Sequence, residues 1–159
     1  MLHQGELDAL VGGDGAAEGL PLFDVLHAHL QPRLGRPIAS YEGIQFPLVE
    51  HYTDIEATKL LVYRAAWMMD KMYQEGRFTP FDVAKATAMA KLRAPIQAFD
   101  TLNEVSNWFG ALAYTKEHPI EMGVRGVRSY SIGAEGAQNI MRLIIARELL
   151  GSEFLPYKR

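Results

Sequence analysis

The chain has 159 residues, 16 Lys and Arg against 19 Asp and Glu, a formal net charge of −3 at pH 7, and no cysteine. That length suits one domain, and the missing cysteines exclude disulfides, thiolate metal ligands and a cysteine nucleophile. A charge near neutral offers no field for nucleic acid or an anionic membrane; with no apolar run near the ~20 residues of a membrane span and no basic-then-apolar leader, the expected location is the cytoplasm.

Residues 1–34 read as a flexible lead-in, because Gly12-Gly13-Asp14-Gly15 sits in a stretch with little periodicity. One short helix is expected within it, Pro21 to Leu30, stopped by Pro32. Gly35-Arg36-Pro37 is a second breaker.

From Tyr41 the pattern turns helical. Leu48, Ile55, Val62 and Met69 recur seven apart, with Tyr52, Ala66 and Tyr73 between them, which predicts one apolar face ending near Gly76. The next helix has a marked start: Thr79 as N-cap, Pro80 at the first helical position, Asp82 facing the dipole. Its predicted stripe is Val83, Ala86, Met89, Leu92, Ile96, Phe99, Leu102, Val105 and Phe109. The stripe stays in phase across Pro95, which predicts one helix with a kink.

Gly110 to His118 reads as a loop. Pro119 opens a shorter helix towards Tyr130, and a last helix is expected from about Glu135 to Leu150, with Ile140, Leu143, Ile144 and Leu150 on one side and Gly151 as its stop. No segment alternates with period two. The expected fold is all-α, a four-helix up-and-down bundle over residues 35–151 with a tail at 152–159.

Histidines and tryptophans suggest no chemistry of their own. His27 and His29 are two apart, so they fall on different helix faces, and no Glu-x-x-His spacing exists to converge ligands on a metal. Trp67 and Trp108 lie in or beside the apolar stripes and read as core. Arg142 and Arg147 read as a charged helix face able to meet Glu148.

Three stretches in order resemble the acyl-CoA dehydrogenase family. The first runs from Gly35-Arg36-Pro37-Ile38 through Leu61-Val62-Tyr63-Arg64-Ala65-Ala66-Trp67. The second is Phe109-Gly110-Ala111-Leu112-Ala113-Tyr114-Thr115, with Glu117, Pro119, Glu121 and Arg125. The third is Ile132-Gly133-Ala134-Glu135-Gly136-Ala137-Gln138-Asn139-Ile140-Met141-Arg142, closing with Ile145 to Gly151. The resemblance covers about three quarters of the chain and implies the family's C-terminal helical domain, which mediates dimer and tetramer contacts and supplies part of the FAD site.

By this resemblance, Glu135 corresponds to the glutamate that removes the α-proton of an acyl-CoA thioester, although one extra residue separates it from Arg125. A base for so weak an acid needs a dry pocket to raise its pKa. An ordinary first-turn glutamate, held there by the helix dipole, is the other reading of the same residue. Asn107, Gly110, Ala111, Gly136, Ala137 and Asn139 occupy the positions that contact FAD in the family. The pattern departs from the family at several of them. Gln31 and Leu34 stand where an arginine and a phenylalanine are usual, Glu42 and Asn107 where glutamines are, Ala111 where a second glycine is, and Ala137 where a threonine is. Glu42 brings an anion to a pyrophosphate site. The expectation is a homodimer or tetramer, inactive alone, with a partner chain carrying the missing domains. A non-catalytic oligomerisation module, or the remnant of such an enzyme, is the alternative.

Overall fold

The computed structural model describes residues 38–133, 136–154 and 156. The lead-in, its expected helix Pro21 to Leu30, and Gln31, Leu34 and Gly35 lie outside the described residues. So do Ala134 and Glu135. Every regular element among the described residues is helical, as the sequence predicts.

The chain divides into two compact units, 1–48 and 49–159. The described part of the first unit is a 3₁₀ turn, Ile38–Ser40, followed by the opening of a long helix. The Tyr41 amide donates to the Ile38 carbonyl of the turn at 3.1 Å, and the Tyr41 carbonyl accepts from the amides of Ile44 and Gln45 as the helix begins. Glu42 is exposed in that helix's first turn, where a carboxylate opposes the dipole favourably.

That helix, α1, spans Glu42–Glu75 and continues into the second unit. It ends as Gly76 predicts: Gly76 takes φ +63° and its amide donates to the Met72 carbonyl at 3.2 Å, the closure of an αL cap. Helix α2, Pro80–Phe109, begins at a complete capping box. The Asp82 amide donates to the Thr79 hydroxyl oxygen (3.2 Å), and the Thr79 amide donates to the Asp82 carboxylate (3.1 Å). The Thr79 hydroxyl, then its amide, hold the Asp82 carboxyl below its ordinary pKa. The helix passes unbroken through the buried Pro95.

The region expected to be a loop contains one turn of helix, α3 (Ala111–Tyr114). Helix α4 follows Pro119 and spans Ile120–Ile132. Helix α5 spans Gln138–Leu150, starting three residues later than the sequence pattern predicts, and stops at Gly151 with φ +100°. A 3₁₀ turn, Ser152–Phe154, follows.

Helix α2 is the shared partner. Its first face meets α1 in antiparallel fashion. Ala65 and Met68 pack on Val83 and Ala86, with Trp67, Met72 and Phe78 around them. Further along, His51 faces Gln97 and Thr101, and Asp54 faces Arg93. Its second face meets α4: Leu102 lies under Gly123, and the Arg128 guanidinium sits 4.9 Å from the Phe99 ring. Towards its N-terminus α2 meets α5, where Arg147 lies 5.4 Å over Phe81. Helices α4 and α5 therefore follow one another along α2, both antiparallel to it.

Three stripe expectations are corrected. On α1 the buried residues of the second unit are Thr58, Ala65 and Met68, about one residue around the helix from the predicted seam. Val62 and Met69 of that seam are 44% and 41% exposed, and Tyr73 is 78% exposed. On α2 the burial is two-sided, so Ala88, Ala90, Pro95, Gln97 and Thr101 are buried alongside Val83, Ala86 and Val105. A single stripe cannot describe a helix packed on both faces. On α5, Met141 is buried, whereas Ile140 and Leu150 of the predicted side are exposed.

Candidate functional site

A cleft of about 670 Å³ opens between the C-terminal end of α2, the turn α3, and the first half of α4. Ser106, Asn107 and Gly110 contribute from the first, Ala113 and Tyr114 from the second, and Glu121, Arg125 and Arg128 from the third. The sequence builds this junction in a legible way. Gly110 takes φ +63°, which an L side chain resists, and its amide closes α2 on the Ser106 carbonyl. His118, buried before Pro119, packs 5.1 Å from the Phe109 ring and seats the start of α4.

Two of the residues predicted to touch a cofactor, Asn107 and Gly110, line the cleft. Ala111 is exposed as the first residue of α3. The other three lie elsewhere. Gly136, Ala137 and Asn139 precede or open α5, and the 13-residue α4 separates them from the cleft's α3 end by roughly 20 Å at 1.5 Å per residue. The structure thus splits the predicted set into two groups. Glu135 lies outside the described residues.

The polar groups at these positions are already engaged within the chain. The Asn107 amide nitrogen donates to Glu104 Oε2 at 3.3 Å, and the Trp108 indole donates to the other oxygen at 3.1 Å. Asn139 Oδ1 accepts from Arg142 Nη1 at 2.9 Å, and Gln138 Oε1 accepts from Nη2 at 3.1 Å. In the cleft, Arg125 meets Glu121 twice, Nε–Oε1 at 3.1 Å and Nη2–Oε2 at 3.3 Å. That fork uses two of the guanidinium's five N–H donors on a neighbouring carboxylate, which also offsets its charge. Arg128 keeps its charge over Phe99. Ala137 gives no side-chain cap to α5, and a Cβ on Gly136 would meet Met141 Cε at 2.4 Å, so that end is closed over by Met141.

These residues do not by themselves fit a dinucleotide. A pyrophosphate requires free donors or cations. The cleft offers one unbridged arginine, an arginine paired with Glu121, and an asparagine tied to Glu104. No group of three His, Asp or Glu able to hold a metal exists among the described residues.

Sequence reasoning missed the most buried polar cluster, which joins α1 to α2. Gln97, only 3% exposed, donates to Thr101 Oγ1 (3.2 Å), lies 3.4 Å from His51 Nδ1, and accepts from Arg93 (3.2 Å). Arg93 in turn reaches Asp54 at 3.2 Å. The only signal in the sequence was polar residues at positions 51, 97 and 101, and their convergence needs the antiparallel register of the two helices.

Comparison with known proteins accounts for the helices. The family model "Acyl-CoA dehydrogenase, C-terminal domain" matches residues 9–150. Similar proteins include a probable acyl-CoA dehydrogenase, YngJ, of Bacillus subtilis, 33% identical over 136 residues, which cover 86% of this chain and 33% of that protein. Cyclohexane-1-carbonyl-CoA dehydrogenase of Geobacter metallireducens is 34% identical over 138 residues, again 86% of this chain and 33% of that protein. A chain in a structure described as the electron transferring flavoprotein of Acidaminococcus fermentans superposes with a TM-score of 0.69 at 29% identity, over 80% of this chain and 32% of that one. The chain spans about a third of the length of these proteins. It belongs to the acyl-CoA dehydrogenase family, and its helices are those of that family's C-terminal domain.

Proposed function

We propose that this chain is the assembly-forming helical domain of an acyl-CoA dehydrogenase-type enzyme, and that it turns over no substrate alone. The observations that carry this reading are an apolar face left uncovered and a cofactor region whose two asparagines and Arg125 already bond to neighbours within the chain. On α1, Val62, Met69 and Tyr73 share one outward side with Ala66. Such a contiguous apolar surface marks a contact with another chain. A homodimer or tetramer in the cytoplasm is the assembly proposed, joined by a partner chain that supplies what the other two thirds of the relatives' length supplies.

Within that assembly Glu135 is proposed as the base that takes the α-proton of an acyl-CoA thioester. Asn107, Gly110, Ala111, Gly136, Ala137 and Asn139 are proposed to meet FAD only once partner groups replace their present hydrogen bonds. The alternative, a non-catalytic oligomerisation module, is favoured by the same internal pairing, Arg142 on Asn139 above all.

Visible absorbance of the purified protein, followed by FAD titration and light scattering, tests the proposal. The expected result is a colourless protein that self-associates and shows no saturable flavin binding. Stoichiometric flavin bound by this chain alone, or a clean monomer at high concentration, contradicts it. Adding the domains that make up the rest of the relatives' length separates the two readings: the catalytic one requires activity that Glu135→Gln abolishes.

A further inference from the structure

The outward side of α1 carries a finer pattern than exposure alone. From Tyr52 to Tyr73 its members are spaced alternately three and four apart, through Ile55, Lys59, Val62, Ala66 and Met69. All are exposed or half-buried, while α2 occupies a different side of the helix, against Ala65 and Met68. This spacing runs for roughly 32 Å of helix at 1.5 Å per residue. Held that long, it is the seam of a coiled coil, where each residue inserts between those of a second helix.

One position breaks the apolar run. Lys59 lies near the middle, and its ammonium bonds Glu56 Oε1 of the same helix at 2.9 Å. A single lysine in such a seam fixes direction and register, at a cost in stability. In a parallel pair of identical helices each residue faces its own copy, so two ammonium groups would meet. Reversing one helix removes that conflict, and the seam then matches itself. Tyr52 opposes Tyr73, Ile55 opposes Met69, Lys59 opposes Ala66, and Val62 meets Val62. Lys59 now lies over the smallest residue of the seam, which leaves room for its stem. Asp70 of the second copy, one turn beyond Ala66 on the same flank as Lys59, brings another carboxylate to the ammonium. Asp70 forms no ion pair among the described residues of its own chain.

We infer that this seam takes a second copy of the chain, with the two α1 helices antiparallel and Val62 at the two-fold axis. This pairing rests on the self-association proposed above and adds which face meets, what covers it and in which direction. Such a contact uses the same patch on both copies, so it closes as a dimer and cannot propagate into a filament.

The chain contains no cysteine, so single cysteines can report the pairing without background. Three full-length variants are made, Ile55→Cys, Val62→Cys and Met69→Cys, with the Met69→Cys chain carrying a size tag. Each is treated alone with a short bismaleimide of about the 8–10 Å helix separation, and Ile55→Cys and Met69→Cys are also treated as a mixture. Light scattering records the assembly, and far-UV circular dichroism checks that each variant is folded. In the antiparallel pair, thiols at 55 and 55, or at 69 and 69, stand roughly 20 Å apart along the axis, beyond the linker. The expected result is therefore dimer from Val62→Cys alone, dimer from the mixture of Ile55→Cys and Met69→Cys, and loss of roughly nine-tenths of that yield when either is treated alone. Efficient self-linking of Ile55→Cys and of Met69→Cys would mean a parallel pair and overturns the inference. An assembly by light scattering with no linking at any position places the contact on another face and overturns it too, while leaving the proposed self-association standing. A monomer by light scattering overturns both.

Discussion

The buried amide of Gln97 sets up a quantitative test of how α1 and α2 hold their register. Replacing it with alanine removes the hydrogen bond to Thr101 and the one accepted from Arg93. At about 1 kcal/mol each, with roughly 1 kcal/mol more for the lost stem packing, the cost is about 3 kcal/mol. No orphaned charge is added to that sum, because Arg93 keeps Asp54 and its side chain is 47% exposed. Nor is His51 stranded, since Thr101 Oγ1 stays 3.3 Å from its Nδ1. Leucine refills the volume and loses only the polar part, so its cost should be about 1–2 kcal/mol. Urea denaturation followed by far-UV circular dichroism at fixed protein concentration measures both free energies, and thermal melts should show alanine lowering Tm by roughly 6–12 °C. A Gln97→Leu protein as stable as the parent, or more so, would refute the reasoning. The polar layer would then be a net cost tolerated for register, as in other buried polar clusters.

Three further outcomes are expected. The depressed pKa of Asp82 means its contribution to stability is complete above the ordinary carboxylate range, near ~4, and is lost as pH falls through the lower folded value; a series of melts from neutral to acid pH should show this loss in the parent and not in Asp82→Asn. Gly136→Ala should destabilise by about 1–2 kcal/mol and displace Met141, because φ +140° is strained for an L side chain and the new Cβ lands 2.4 Å from Met141 Cε; an unchanged Tm would show that Met141 yields freely. Val62→Glu with Met69→Glu should dissociate the assembly while leaving helicity intact, since both side chains already face outward; unchanged light scattering would move the interface elsewhere.

Much of this fold was legible where local chemistry decides. Thr79, Pro80 and Asp82 announce the start of α2, Gly76 and Gly151 announce two stops, and the structure places both glycines at positive φ. Burial was less legible, for a physical reason. Helix α2 packs on more than one neighbour and α1 carries apolar residues on a face that none of the described residues covers, so a seam of period seven picks out a side without saying which partner covers it. Met69 and Val62 look like core in sequence and are surface in this chain. Gln97 and Thr101 look like surface and are core, satisfied by a histidine 46 and 50 residues away respectively. The cofactor positions came from resemblance, and resemblance carries a position without its hydrogen-bond partners. Asn107 and Asn139 stand at positions proposed by resemblance, but each already bonds within the chain, to Glu104 and Arg142.

The placement of α4 and α5 in tandem along α2 bears on how the chain reaches its native state. The α1–α2 and α2–α4 pairings join helices linked by short connections, whereas α5 returns to α2 over a longer separation, Arg147 to Phe81, and is expected to dock later. Among the described residues α2 is the surface that α1, α4 and α5 share, which predicts that it forms early. Its capping box at Thr79 and Asp82 nucleates it locally, before any tertiary contact exists. Damage to that box should therefore slow refolding more than it speeds unfolding, making a turn on the surface the pacemaker for the interior.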